Sequence, residues 1–230
     1  MKVNEMGNDR YVVAVDGPAG SGKSSVCRRV AIEVSAKYID SGAVYRAITK
    51  YFIDKYGDDL STVDIIEQLN NINIEQIFEQ NGDIRTLLNG KDVSKTIREE
   101  RVAEKITFFS DNREIREYVN SLLRIWAGEN SIIMDGRDIG SVVFPNADLK
   151  VYLDASVDER AKRRVKEYTE LGKNVDENLI KNQIIKRDFS DENREFGPLK
   201  KCDDSVYLDT SNMSFNDVVG KIIELIKSSK

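Results

Sequence analysis

Short apolar runs alternate along this chain with longer segments of helical period. Tyr11-Val12-Val13-Ala14-Val15 is a β-branched run with no charged member, the pattern of a strand covered on both faces. A loop dense in glycine follows, and Val26, Val30, Ala31 and Val34 then recur at helical spacing, predicting a helix over about 23–36. A second strand is expected to end near Asp40, with a helix after Ser41-Gly42. Between about 61 and 95 the texture changes: Asn81-Gly82 and Asn89-Gly90 are hairpin turn signals beside the short runs Ile74-Glu75-Gln76-Ile77-Phe78 and Ile84-Arg85-Thr86-Leu87-Leu88. This segment reads as a small antiparallel insert that moves against the main sheet. Residues 99–128 are helical and charged. Strands follow at Ser131-Ile132-Ile133-Met134-Asp135, at Leu149-Lys150-Val151-Tyr152-Leu153-Asp154 and at Ser205-Val206-Tyr207-Leu208-Asp209. Helix signals begin at Ser156, and an amphipathic helix closes the chain over 216–227. Alternating strands and helices predict an α/β fold with a mostly parallel sheet covered on both faces.

Composition narrows the function classes. The chain has 230 residues, enough for one α/β domain with an insertion or two small domains. Hydrophobic residues at 40% and charged residues at 33% are ordinary for a globular protein. No apolar run approaches the ~18 residues that a membrane-spanning helix needs. The first ten residues are polar, so no secretory leader is expected there. Those readings point to the cytoplasm and to no membrane partner. A net charge of -5 argues against a dedicated nucleic-acid binder. The two cysteines, Cys27 and Cys202, make neither a disulfide framework nor a zinc site. Histidine is absent, which excludes serine–histidine and cysteine–histidine hydrolases and histidine-ligated metals.

The chemistry begins in the glycine loop. Gly17-Pro18-Ala19-Gly20-Ser21-Gly22-Lys23-Ser24 follows a strand and opens a helix, which is the G-x-x-x-x-G-K-[ST] phosphate cradle in its required context. Glycines let backbone N–H groups curl round a phosphate chain, and the helix N-terminus favours the anion. Lys23 reaches β- and γ-phosphates, and the Ser24 hydroxyl ligates Mg²⁺ carried with ATP. A cradle of this kind is shared by GTPases, ATPases and small-molecule kinases. No N-K-x-D guanine-reading segment is present, so the acceptor site must decide. Asp40-Ser41-Gly42-Ala43-Val44-Tyr45-Arg46 and Asp135-Gly136-Arg137-Asp138-Ile139-Gly140-Ser141-Val142-Val143-Phe144-Pro145 each follow the carboxyl end of a strand, where open α/β sheets bind ligands. Arg187-Asp188 through Asp191-Glu192-Asn193-Arg194 is a third charged cluster.

These segments closely resemble the bacterial cytidylate kinase family, from about Val13 to Ser211. The stretch from Gly136 to Pro145 looks like that family's signature, and Asp92-Val93-Ser94 with Ile97-Arg98 also matches it. The resemblance implies the P-loop nucleoside monophosphate kinase fold. That fold has a five-stranded, mostly parallel core over 1–60 and 99–230, a monophosphate-binding insert over 61–98 and a short lid near 156–195. It also implies transfer from ATP to CMP or dCMP with Mg²⁺; separately, a monomer is expected. Residue by residue, Arg46, Arg137 and Arg194 match arginines on the acceptor phosphate. Arg187 matches one near the transferring phosphoryl, and Asp191 a carboxylate on the sugar hydroxyls. Thr107, Arg116 and Asp138 match the cytosine-reading residues, with Thr107 standing where serine is usual. Ser41 matches a neighbouring polar contact. Lys23, Arg137 and Arg187 are thereby the expected catalytic residues. Ser25, Arg160 and Arg164 join the cradle as expected ATP contacts, the two arginines from the Glu159-Arg160-Ala161-Lys162-Arg163-Arg164 cluster of the lid.

Elementary chemistry agrees with the resemblance. Two anionic phosphate chains meet only if several permanent cations hold them, and guanidinium does so bidentately. Cytosine offers an amino donor beside two acceptors, which suits a carboxylate beside an arginine. The rivals are a kinase of the same class acting on UMP, dTMP, AMP or shikimate, and a non-catalytic regulator that uses ATP as a switch.

Overall fold

The computed structural model of the chain describes residues 10–57, 63–79, 83–128, 130–170 and 172–229. Five parallel strands form the main sheet: β1 (Val12–Asp16), β2 (Lys37–Asp40), β6 (Ile132–Gly136), β7 (Leu149–Asp154) and β8 (Val206–Asp209), in the order β2-β6-β1-β7-β8. β1 lies at the centre. Its even residues Val12 and Ala14 face one core, and its odd residues Val13 and Val15 face the other, which is why the strand reads as an unbroken apolar run.

Helices cover both faces. The first core joins β1 and β6 to α2 (Ser41–Tyr56), α4 (Glu100–Ser110) and α5 (Arg113–Ala127), with Phe52 and Phe109 stacked at 5.1 Å between ring centroids. The second joins the sheet to α1 (Lys23–Glu33) and α8 (Phe215–Ser228). Each fully buried side chain of valine or leucine size contributes about 1.5–3 kcal/mol, so these two layers hold the platform that carries the site.

The insert comprises α3 (Ile65–Leu69) and an antiparallel sheet of β3 (Ile74–Phe78), β4 (Ile84–Leu88) and β5 (Lys91–Asp92). The Asn89-Gly90 turn is formed as expected, with φ of 49° and 77°. The Asn81-Gly82 turn lies outside the described residues. α3 was not expected from the sequence; five residues show no readable helical period, and its start is fixed by Asp64, which accepts from Glu67 N at 2.9 Å. The insert shares the first core through Leu69, Ile72, Ile74 and Val93. It also meets the open edge of β2: Gln76 accepts from Asp40 N at 3.1 Å and donates to Asp40 O at 2.7 Å, a side-chain amide standing in for a neighbouring strand.

The segment expected to form the lid is a pair of helices, α6 (Val157–Glu170) and α7 (Glu177–Asn193), with a small core of Ala161, Ile180 and Ile184. Both cysteines are free thiols, Cys27 in the second core. No helix among the described residues is long and apolar enough to cross a membrane.

Candidate active site

The donor loop is built by steric necessity at its first residue. Gly17 has φ of 151°, and a Cβ there would collide with the Leu153 carbonyl of the adjacent strand. The loop then turns through Gly20 and Gly22, with φ of 79° and 89°, into the N-terminus of α1. No side chain caps that helix, so its first N–H groups stay open to an anion. Lys23 is buried inside the curl, donating to Pro18 O at 2.6 Å and Ser21 Oγ at 3.2 Å. Burial and the nearby Arg137 cation push its pKa down to about 7, against Asp135 and Asp16, which raise it.

Ser24 and Asp135 form a pair that sequence reading only half anticipated. Ser24 Oγ donates to Asp135 Oδ2 at 2.8 Å, and the buried Tyr38 hydroxyl donates to Asp135 Oδ1 at 2.6 Å. Burial, with Asp40 adding to it, raises the Asp135 pKa. A hydroxyl beside a carboxylate at the mouth of a phosphate cradle is a hard-oxygen donor pair of the kind that fits Mg²⁺. No cluster of three or more histidine, cysteine, aspartate or glutamate ligands exists among the described residues. The available signal for Asp135 was a buried apolar strand ending in an acid after a phosphate cradle.

The lid arginines divide their work. Arg160 is buried and donates to Ala155 O at 2.8 Å, Ala19 O at 2.9 Å and Asp188 Oδ2 at 2.7 Å; Asp188 Oδ1 accepts from Ala19 N at 3.3 Å. Arg160 thus braces the loop from behind. Arg163 donates to Thr210 O at 2.7 Å. Arg164 reaches the Tyr168 hydroxyl, at 3.5 Å, and lines the cavity together with Arg160 and Arg163. Thr210, Met213, Phe215 and Val218 line the same end, and none was expected from the sequence because these wall residues carry no motif.

The acceptor end grows from the tips of β2 and β6. Asp40 caps α2, its Oδ1 accepting from Ala43 N at 2.9 Å, so the helix starts at Ser41 rather than after Gly42. Ser41 Oγ donates to Asp135 O at 2.6 Å. Arg46 follows on α2, where burial and the cations Arg98, Arg137 and Arg187 lower its pKa, with Asp40 opposing. Such a crowding of positive charge suits an anionic ligand.

Two carboxylates organise the arginines. Asp191 is buried and ion-paired with Arg137 at 2.7 Å, Arg187 at 3.0 Å and Arg194 at 3.5 Å. Burial works against its charge, but these guanidiniums together hold its carboxyl below the ordinary value. In this state Asp191 faces arginines rather than open space. Asp138 pairs with Arg116 and, at 3.7 Å, with Arg194. Arg116 also donates to Ser110 O at 2.9 Å and lies 5.5 Å from the Tyr45 ring centroid. Thr107 does not line the cavity; its hydroxyl accepts from Arg187 at 2.6 Å. Gly197, which no motif flagged, is required here: with φ of 57°, a Cβ would run into the Arg116–Asp138 pair.

A cavity of about 610 Å³ joins the two ends, running from Lys23, Ser24 and Ser25 past Arg46, Arg137 and Arg187 to Arg116 and Asp138. Most of the sequence-derived residues, separated by more than 170 positions, therefore converge on one space, whereas Gly17, Pro18, Thr107 and Asp191 do not line it.

Known proteins have similar sequences. The family described as cytidylate kinase matches residues 13–228. The cytidylate kinase of Lactobacillus johnsonii is 42% identical over 221 residues, covering 95% of this chain and 94% of the relative. That of Fusobacterium nucleatum is 38% identical over 224 residues, covering 96% and 100%. A solved structure of an uncharacterized protein from Eubacterium ventriosum superposes with a TM-score of 0.52 at 15% identity, covering 96% of this chain and 99% of that one, a likeness of fold alone. The five-stranded parallel sheet, antiparallel insert and helical lid are the P-loop kinase architecture expected above. A match of this length and identity, lying over a cavity where the motif residues meet, makes the chain a member of the cytidylate kinase family.

Proposed function

We propose that the protein transfers the γ-phosphoryl group of ATP to CMP, and to dCMP, giving ADP and CDP or dCDP. The observation that carries this reading is the single cavity with a phosphate cradle at one end and the Arg116–Asp138 pair at the other, with Arg46, Arg137 and Arg187 between them. The donor's triphosphate lies along the N–H groups before α1, with Lys23 on its outer phosphates. Its base fits the apolar wall of Met213, Phe215 and Val218 under Arg164. A magnesium ion bound with ATP would be held by Ser24 and Asp135 and would neutralise charge on the phosphates.

Phosphoryl transfer of this kind is mainly positioning and electrostatic stabilisation, so no histidine base is needed. Arg137 and Arg187 are oriented from behind by Asp191, which fixes where their N–H groups point. An acceptor phosphate entering among them exchanges one anion for another. Asp138 accepts from the cytosine amino group while Arg116 serves its acceptors.

A coupled ADP-release assay across the common monophosphates tests the reading. Turnover is expected with CMP and dCMP, with UMP weaker and AMP, dTMP and shikimate near background. CMP-independent ADP release, or none with any acceptor, would favour the regulator instead.

Closure is a second expected outcome. Transfer must exclude water, or ATP would be hydrolysed. Hydrogen exchange should slow on CMP binding in the insert, including β3 beside Asp40, and in the lid on ATP binding. Unchanged protection in both would remove lid and insert motion from the mechanism.

A further inference from the structure

Asp16 is the last residue of β1, is buried, and belongs to neither set of expected ligands. Its two carboxylate oxygens each take one backbone amide from another part of the chain: Oδ1 accepts from Ile139 N and Oδ2 from Gly140 N, both at 2.8 Å. Those amides open a single π-type turn, Ile139–Val143, that directly follows Arg137 and Asp138. The turn has no side-chain cap of its own, because Asp138, the residue in the capping position, has turned its carboxylate to Arg116 and Arg194. A carboxylate from β1 therefore does the capping that the local residue cannot.

The neighbouring chain makes this grip consequential. Residue 17, next after Asp16, is the glycine seated on the Leu153 carbonyl, where the phosphate cradle begins. Gly140, on the other side, has the Lys150 stem and Asp16 Oδ2 against it, so that even a Cβ would sit 3.1 Å from Lys150 Cδ and 3.4 Å from the carboxylate. One buried side chain thus joins the first peptide of the donor loop to the first turn after the acceptor arginine and the base-reading carboxylate.

We infer that Asp16 is a positioning residue that sets the acceptor loop in register with the donor loop, so that the two phosphates meet at the distance and angle that transfer requires. The inference rests on the reading of the site as a phosphotransferase. It is independent of which monophosphate is the acceptor. Asp16 does not line the cavity and acts through the peptide N–H groups of Ile139 and Gly140. Catalytic groups must hold to within about 0.5 Å of productive geometry. A misplacement of about 1 Å costs on the order of 100-fold in rate. Burial pushes the Asp16 pKa up to about 6, with Asp138 adding to it, while the Gly140 and Ile139 amides and Lys23 oppose. At pH 8 the group is the carboxylate that the two amides need.

The test is Asp16→Asn at pH 8, with kcat measured at saturating ATP and acceptor and ATP affinity measured separately with a fluorescent ATP analogue. The amide keeps the size of the side chain but can accept from only one N–H, and its own NH₂ meets the other donor to donor. We expect kcat to fall about 30-fold or more, with ATP affinity within about twofold of wild type, and Asp16→Ala to fall further. A merely structural role would lower the thermal midpoint, or ATP affinity, without moving kcat at saturation. A folded Asp16→Asn protein with kcat within about threefold of wild type overturns the inference, as does a loss of ATP affinity that matches the loss of kcat. Should Asp16→Asn not fold, the same measurements on Asp16→Ser, which keeps one acceptor oxygen, decide by the same criteria. A wild-type protein inactive with every monophosphate would instead overturn the phosphotransferase reading, a result visible before any variant is made.

Discussion

Lys23→Met is expected to lower kcat by about 1,000-fold or more while the protein stays folded. The ammonium lies buried within the cradle, hydrogen-bonded to the Pro18 carbonyl and the Ser21 hydroxyl. In the proposed reaction it meets a triphosphate whose negative charge supplies what the protein withholds. Losing it removes stabilisation of charge on the transferring group, so the effect falls on kcat more than on KM. Stability should move the other way. Burial and Arg137 hold the folded-state pKa near about 7, below the ordinary lysine value of 10.5. Folding therefore disfavours the protonated form. The resulting cost is full below about pH 7 and fades as pH rises from there through the unfolded-state value. Methionine carries no such cost, so at pH 6.5 the ligand-free variant should melt no lower than wild type. Steady-state kinetics with a thermal melt at that pH check both halves. Wild-type turnover in a folded variant would take the lysine out of the mechanism.

Asp138→Ala should shrink the ratio of kcat/KM for CMP over that for UMP by about tenfold or more. Uracil presents a carbonyl where cytosine presents its amino group, so the carboxylate would face an acceptor and remain unpaired, at a cost of about 1–3 kcal/mol. The rival role, a buttress for Arg137, predicts equal losses for both substrates. The geometry speaks against that rival, because Arg137 pairs with Asp191, whereas Asp138 pairs with Arg116 and Arg194. Deleting Asp138 also leaves those two guanidiniums without a shared anion, and Arg116 already lowers the Arg194 pKa, burial being the larger cause. Activity with UMP should therefore fall too, and the ratio is the diagnostic quantity. Asp138→Asn should be milder, since its amide can present either a donor or an acceptor. An unchanged ratio in Asp138→Ala would leave the residue a structural role only.

How much of this was legible in the sequence depends on whether the information is local. The strand at 12–16 and the helix after Lys23 were readable because a buried parallel strand and an amphipathic helix impose periods on neighbouring residues. Errors fell where one side chain or one dihedral sets a boundary. α1 stops at Glu33, short of the expected residue 36, where Ser35 turns to φ of 54°. α2 begins at Ser41 because the Asp40 carboxylate caps it. The expected ATP contact Arg160 was readable as a lid arginine. That it spends its donors on two backbone carbonyls and Asp188 could not be read from its neighbours in sequence.

The sequence alone determined the phosphate cradle, the parallel α/β core, the antiparallel insert and the segments that carry the acceptor arginines. In each of these the chemistry constrains residue types that are adjacent in the chain. Only the tertiary structure decided which charges meet. Asp191 gathers Arg137, Arg187 and Arg194, Asp138 takes Arg116 and Arg194, and Asp16 reaches the amides of Ile139 and Gly140 more than 120 positions away. The physical reason is that every acid on a chain is a possible partner for every arginine or free N–H. Spacing does not choose among them, because the choice follows from the strand order β2-β6-β1-β7-β8, which places the ends of β1, β2 and β6 side by side.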